Sequence, residues 1–127
     1  MEHVFAALAA GVVCVHVAFV VFVMLGGFAA VTRPWLAWLH LPAVAWAAWV
    51  ELSGSICPLT PLEQALRARA GLAPYTGDFI ARYVFPLLYP EGLVRQTQIA
   101  IGVVVLAVNA AAYWSLLARR WRSQRSA

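Results

Sequence analysis

The stretch that decides the fold is VFAALAAGVVCVHVAFVVFVMLGGFAAV, residues 4–31. It carries no charged side chain, and as a helix rising about 1.5 Å per residue it reaches about 42 Å, beyond the roughly 30 Å of a bilayer's hydrocarbon core. It predicts a membrane span. The preceding Met1-Glu2-His3 lacks the basic start of a secretory signal, and no small-residue cleavage site precedes a polar stretch, so the segment is expected to stay as an anchor.

Thr32-Arg33-Pro34 breaks the apolar run, because Pro34 disfavours helix at Arg33 and suits the first turn of a new one. A second span is expected from Trp35 to Ile56, with Glu51 as its one formal charge and with Trp35 and Trp38 at head-group level. Ser53-Gly54-Ser55 loosens it and Cys57-Pro58 ends it. A third span is expected over Thr97 to Leu117, with Asn109 near its middle and Trp114 near its exit.

Between the second and third spans the composition turns polar and proline-rich, with Pro58, Pro61, Pro74, Pro86 and Pro90. Thr60-Pro61-Leu62-Glu63 has the form of a capping box, Thr60 as N-cap and Glu63 reaching back, and Gly71 closes the helix it opens. Leu62, Ala65, Leu66 and Ala70 recur at helical spacing opposite Arg67 and Arg69, which predicts a helix lying in the interface. Phe79 to Tyr89 is too short to cross and reads as a re-entrant or interfacial half-helix, with a tilted fourth span over residues 78–93 as the alternative.

The whole chain is 64% hydrophobic and 11% charged, too little charge to clothe a water-soluble domain of 127 residues. Its net charge of +4 comes from nine arginines, crowded at Arg119, Arg120, Arg122 and Arg125. Basic residues directly after an apolar segment are what the positive-inside rule expects of a cytoplasmic end facing anionic lipid, rather than of a nucleic-acid binder. The expectation is one all-α integral membrane domain: three transmembrane helices over about 4–31, 35–56 and 97–117, with an external helical lid over 57–96.

In a hairpin turning at Arg33, residues equally far from the turn share one depth. His16 meets Glu51, and His40 meets Gly26-Gly27, with roughly 16 Å of axis between the two levels. An unpaired charge at the depth of Glu51 is costly, so His16 and Glu51 are expected to face each other as a proton-handling, metal-binding or polar-ligand site, or as a plain polar clasp. Gln98 lies near that level and Asn109 nearer His40. His40 is expected as a core histidine bonded across helices, or as a single cofactor ligand; Gly26-Gly27 gives it room or offers a close-contact face for another chain. Cys57, Glu63, Arg82 and Tyr83 form a second tier. Arg82, set in an apolar run, needs Glu51, Glu63 or a lipid phosphate. Tyr75, Asp78, Tyr89, Glu91 and Arg95 read as ordinary interfacial residues. Cys14 and Cys57 imply no disulfide framework.

Leu39-His40-Leu41-Pro42 with Trp46 and Glu51, then Cys57-Pro58-Leu59-Thr60-Pro61-Leu62-Glu63, Tyr75 to Phe79 and Tyr89-Pro90, resembles a bacterial family of small integral membrane proteins known as domain of unknown function 2784. His16 with the Phe19 to Gly27 run is similar to that family's first helix. The resemblance implies a helical protein of the bacterial inner membrane and carries no catalytic role with it.

These readings converge on a small inner-membrane binding or accessory protein, C-terminus in the cytoplasm, whose site around His16 and Glu51 takes a proton, a metal ion or a polar lipid or quinone head group. A haem- or metal-dependent redox protein or enzyme is the first alternative. A purely structural subunit of a larger membrane complex, or a homo-oligomer, is the second. No Ser/His/Asp order, phosphate-binding glycine loop or HExxH occurs.

Overall fold

A computed structural model describes residues 1–75, 77, 79–84 and 94–127, and every regular element among them is helical. In chain order these are α1 (Glu2–Thr32), a 3-10 turn (Pro34–Leu36), α2 (Ala37–Ser53), α3 (Leu59–Arg69), a π-helical turn (Ile80–Val84) and α4 (Val94–Arg125). Two helices, α1 and α4, are long and apolar enough to cross a membrane. Asp78, Tyr89 and Glu91 lie outside the described residues, and so does the question of whether 78–93 crosses.

The breaks follow from single residues. Arg33 leaves the helical region (φ −129°, ψ 84°) because the residue before a proline is pushed out of it. Gly54 takes the left-handed conformation (φ 72°), and the Ser55 amide donates to the Val50 carbonyl at 3.1 Å, a glycine-closed helix end. Helix α2 therefore stops at Ser53, short of the expected Ile56. The third long helix starts before and ends after its expected bounds, so Arg95 and Gln96 belong to α4 rather than to the lid, and Arg119 to Arg125 are its last turns.

Helices α1 and α2 form an antiparallel hairpin, and α4 runs antiparallel to α2 and parallel to α1. Tyr113 meets His40 while Gly102 packs on Leu52, and Asn109 meets Val23 while Ala112 packs on Gly27. Val23, Val44 and Val105 form the apolar centre, with Phe19, Ala47 and Ile101 packed around it. Gly26 and Gly27 are buried inside this bundle. A Cβ on Gly26 would come within 2.5 Å of His40 Cδ2, so the glycine pair seats the imidazole and is not a face left for another chain.

Helix α3 departs from its expected placement in two ways. The Arg69 guanidinium sits 5.6 Å from the Phe5 ring while Thr60 shares a cavity wall with His16, so α3 lies lengthwise along the first half of α1. Its inward stripe is polar: Thr60 is 1% exposed and Glu63 0%, while Leu62 is 49% exposed. The capping box is not formed either. The helix begins at Leu59 behind Pro58 with no side-chain cap, because the Glu63 carboxylate has stronger partners described below. Gly71 does close it, with the Leu72 amide donating to the Arg67 carbonyl at 3.0 Å.

Candidate functional site

Buried polar groups gather in two layers of the bundle. Near the Arg33 turn, His40 is 0% exposed and ties all three long helices together. Its Nε2 lies 3.1 Å from the Val23 carbonyl and its Nδ1 2.8 Å from the Tyr113 hydroxyl. A carbonyl can only accept, so in the neutral ring Nε2 carries the proton and Nδ1 accepts from Tyr113. Asn109 Nδ2 donates to the same Val23 carbonyl at 3.0 Å and to the Val105 carbonyl at 2.8 Å. Its Oδ1, which has no hydrogen-bond partner among the described residues, rests against the bare face of Gly27. Turning the amide over would set Oδ1 against two carbonyl oxygens, so this orientation is the stable one. Phe22 packs edge-on against the His40 ring at 5.2 Å.

The second layer lies two turns of α1 away, about 10 Å from Val23 along the axis. His16 and Glu51, both buried, line one cavity of about 50 Å³ together with Phe19, Trp46, Cys57 and Ile80. They also line an adjoining one of about 20 Å³ with Thr60 and Phe79. The Phe79 ring stacks on His16 with centroids 4.0 Å apart, closing the layer from the side of the π-helical turn. Thr60 Oγ1 is buried at this wall with no hydrogen-bond partner among the described residues. A cavity needs only about 10–15 Å³ to hold one water, whereas organic ligands take roughly 300–1,000 Å³. These cavities have the size of a few waters.

Among the described residues no three His, Cys, Asp or Glu side chains come together to hold an ion. His16 and His40 stand in separate layers, so they share no haem or metal. Gln98 is buried on α4, one turn from Gly102, whose Cα faces Leu52 and the Glu51 Cβ; the described cavity walls do not include it.

One turn along α3 from Thr60, Glu63 accepts the Tyr75 hydroxyl on Oε2 at 2.7 Å and the Tyr83 hydroxyl on Oε1 at 2.8 Å. Burial first, then the hydrogen bond and negative charge of Glu63, push both phenols above their ordinary pKa. The strand of chain carrying Tyr75 is tied back to α3 by Gln64 Nε2 to the Tyr75 carbonyl and Arg67 Nη2 to the Ala73 carbonyl. Arg82 does not pair with Glu51 or Glu63; its guanidinium lies over the Tyr75 and Tyr83 rings at 5.5 and 6.0 Å, a cation–π arrangement. Arg95 at the start of α4 spreads its fork over the last carbonyls of α2, Nη1 to Glu51 at 3.1 Å and Nη2 to Leu52, capping the helix that carries Glu51.

The fold thus brings His16, Glu51 and Cys57 to one cavity, sets His40 with Asn109 in the other layer, and bonds Glu63 in the first half of α3 to Tyr83, over whose ring Arg82 lies. Sequence reasoning named Thr60 as a cap, Phe79 as an apolar residue of the half-helix and Arg95 as interfacial, but gave neither them nor Tyr113 the contacts they make here. Thr60 was masked by its capping-box position, and Phe79 and Tyr113 by lying among other apolar residues.

The family described as Protein of Unknown function (DUF2784) matches residues 6–114, a stretch that contains both polar layers and stops short of the arginine-rich end of α4. Comparison with curated proteins found no match, and neither did comparison with solved structures.

Proposed function

The chain belongs to the DUF2784 family, whose description carries no activity, and we propose that it is a small accessory protein of the bacterial inner membrane that holds an exchangeable proton at His16 and Glu51. The observation that carries this is the shared, water-sized cavity between those two side chains. An imidazole and a carboxyl group at this depth exchange a proton between themselves at lower cost than either bears a lone charge. Water in the cavity would link them, and the Thr60 hydroxyl at the adjoining wall, which can donate and accept at once, is positioned to join that water.

Three spans serve this reading. The α2 helix has 17 residues and the 3-10 turn before it 3, together about 31 Å, enough for a bilayer core. Lipid as the surrounding solvent accounts for the inverted faces: Thr60 and Glu63 point inward while Leu62, Leu25, Phe28 and Trp49 point out. In this reading the end carrying Arg33 and Arg119 to Arg125 faces the cytoplasm, as the positive-inside rule favours. Association with a larger membrane complex or a second copy supplies the rest of a proton path that three helices are too few to enclose.

The test is infrared difference spectroscopy of the detergent-purified protein across a pH titration. A carboxyl band should appear that shifts in heavy water, disappears in Glu51→Gln and changes its titration in His16→Asn. A wild-type spectrum with no titrating carboxyl attributable to Glu51 overturns the reading.

A further inference from the structure

A third cavity adjoins the His40 layer, sharing Tyr113 as a wall: a groove of about 380 Å³ between the 3-10 turn and start of α2 on one side and α4 on the other. Ala37, Trp38, Leu41, Leu116 and Leu117 form its apolar walls and Arg120 its one charged edge. Trp38 at the mouth is 84% exposed. Arg120 makes no ion pair or hydrogen bond among the described residues, and Arg33, Arg119 and Arg122 belong to the same end of the bundle. The sequence has no Asp or Glu anywhere in residues 3–50 or 92–127, so neither wall offers these arginines a carboxylate.

We propose that this groove is a binding site for one anionic phospholipid, its acyl chain along the Trp38 and Leu117 walls and its phosphate-bearing head group on Arg120. The volume suits a chain, the apolar lining suits hydrocarbon, and the cationic edge without acids suits net negative charge. A zwitterionic head group brings its own cation to a rim that already has an excess of them. A partner helix would need an anionic group at one depth and an apolar ridge above it, whereas an acidic phospholipid presents both in its ordinary structure, the phosphate and the acyl chain. The inference rests on the membrane placement proposed above and is independent of the proton-holding reading.

The test is native mass spectrometry of the full chain released from vesicles of equal phosphatidylglycerol and phosphatidylcholine with matched acyl chains. Wild type should retain the anionic lipid about fivefold over the zwitterionic one, the ratio set by the attraction of one exposed arginine for net negative charge at a membrane surface. Arg120→Gln should bring retention near parity, Leu117→Trp should lower binding of both lipids by filling the groove, and Arg125→Gln, outside the groove, should leave the preference intact. Equal retention by wild type, or an Arg120→Gln preference as strong as wild type's, overturns the proposal, as does a dimer that carries no lipid. Protein that stays monodisperse in water without detergent or vesicles overturns the membrane placement itself.

Discussion

The two histidine layers use the same chemistry for opposite ends. His40 has both ring nitrogens engaged by groups of the other two long helices, glycines cut away to seat it and a phenylalanine against its edge. His16 stacks on one ring and opens onto cavities that Glu51, Cys57 and Thr60 also line. A polar group locked by fixed protein partners contributes uniqueness to a fold; one facing room for water keeps its proton exchangeable. The comparison teaches that burial of a histidine between membrane-type helices does not by itself mark a working site, and the space beside His16 is what the proposed proton site rests on.

The sharpest break of this comparison is truncation of each imidazole. His40→Ala should lower stability by about 3–5 kcal/mol, since it opens a cavity and strands the Tyr113 hydroxyl, while His16→Ala should cost about half as much. Thermal unfolding in detergent separates them, and equal losses would erase the distinction. Next in size, Gly26→Ala should cost about 2–3 kcal/mol, because the new methyl meets a ring that cannot retreat; the matching change at Gly11, where a Cβ has open space, should be close to neutral.

Glu63→Gln should cost about 1–2 kcal/mol by weakening two charge-assisted bonds. The same cluster sets a pH dependence. Tyr75 and Tyr83 have folded pKa values above the unfolded value near 10, so the stability they lend is complete below that pH and is lost as pH rises through the folded values. Urea titrations in detergent from neutral to strongly alkaline pH should show this fall, and Tyr75→Phe with Tyr83→Phe should remove it. Arg95→Gln should cost about 1 kcal/mol by uncapping α2. Smallest of all, Thr60→Val should change stability by about 0.5 kcal/mol or less while slowing deuterium exchange at Glu51; an unchanged exchange rate would detach Thr60 from the water chain.

Helix existence and the depth of each polar group were legible because they depend on local chemistry and on distance from the Arg33 turn alone. That arithmetic sets His16 level with Glu51 and His40 against Gly26-Gly27, as the folded hairpin has them. Rotation about a helix axis was not legible. Tyr113 becomes the partner of His40 only through how α4 docks, and nothing in its neighbours distinguishes it from an interfacial tyrosine. The apolar Leu62 side of α3 was expected in the interface and is exposed, but which polar residues turn toward the chain was not legible: Thr60 and Glu63 do so because Tyr75 and Tyr83, distant in sequence, fold over Glu63. The end of α2 was misplaced for a simpler reason, since Gly54 alone closes a helix that the following Ser55 and Ile56 could otherwise have continued.

The notch that Gly26 and Gly27 make for His40 also indexes the hairpin. A ring keyed into a gap so narrow admits no sliding of one rod past the other by a helical turn, so the alignment of His16 with Glu51 at the far end is set by a lock some distance away. Residues around His16 and Glu51 can therefore vary without losing the register that brings those two side chains to one cavity.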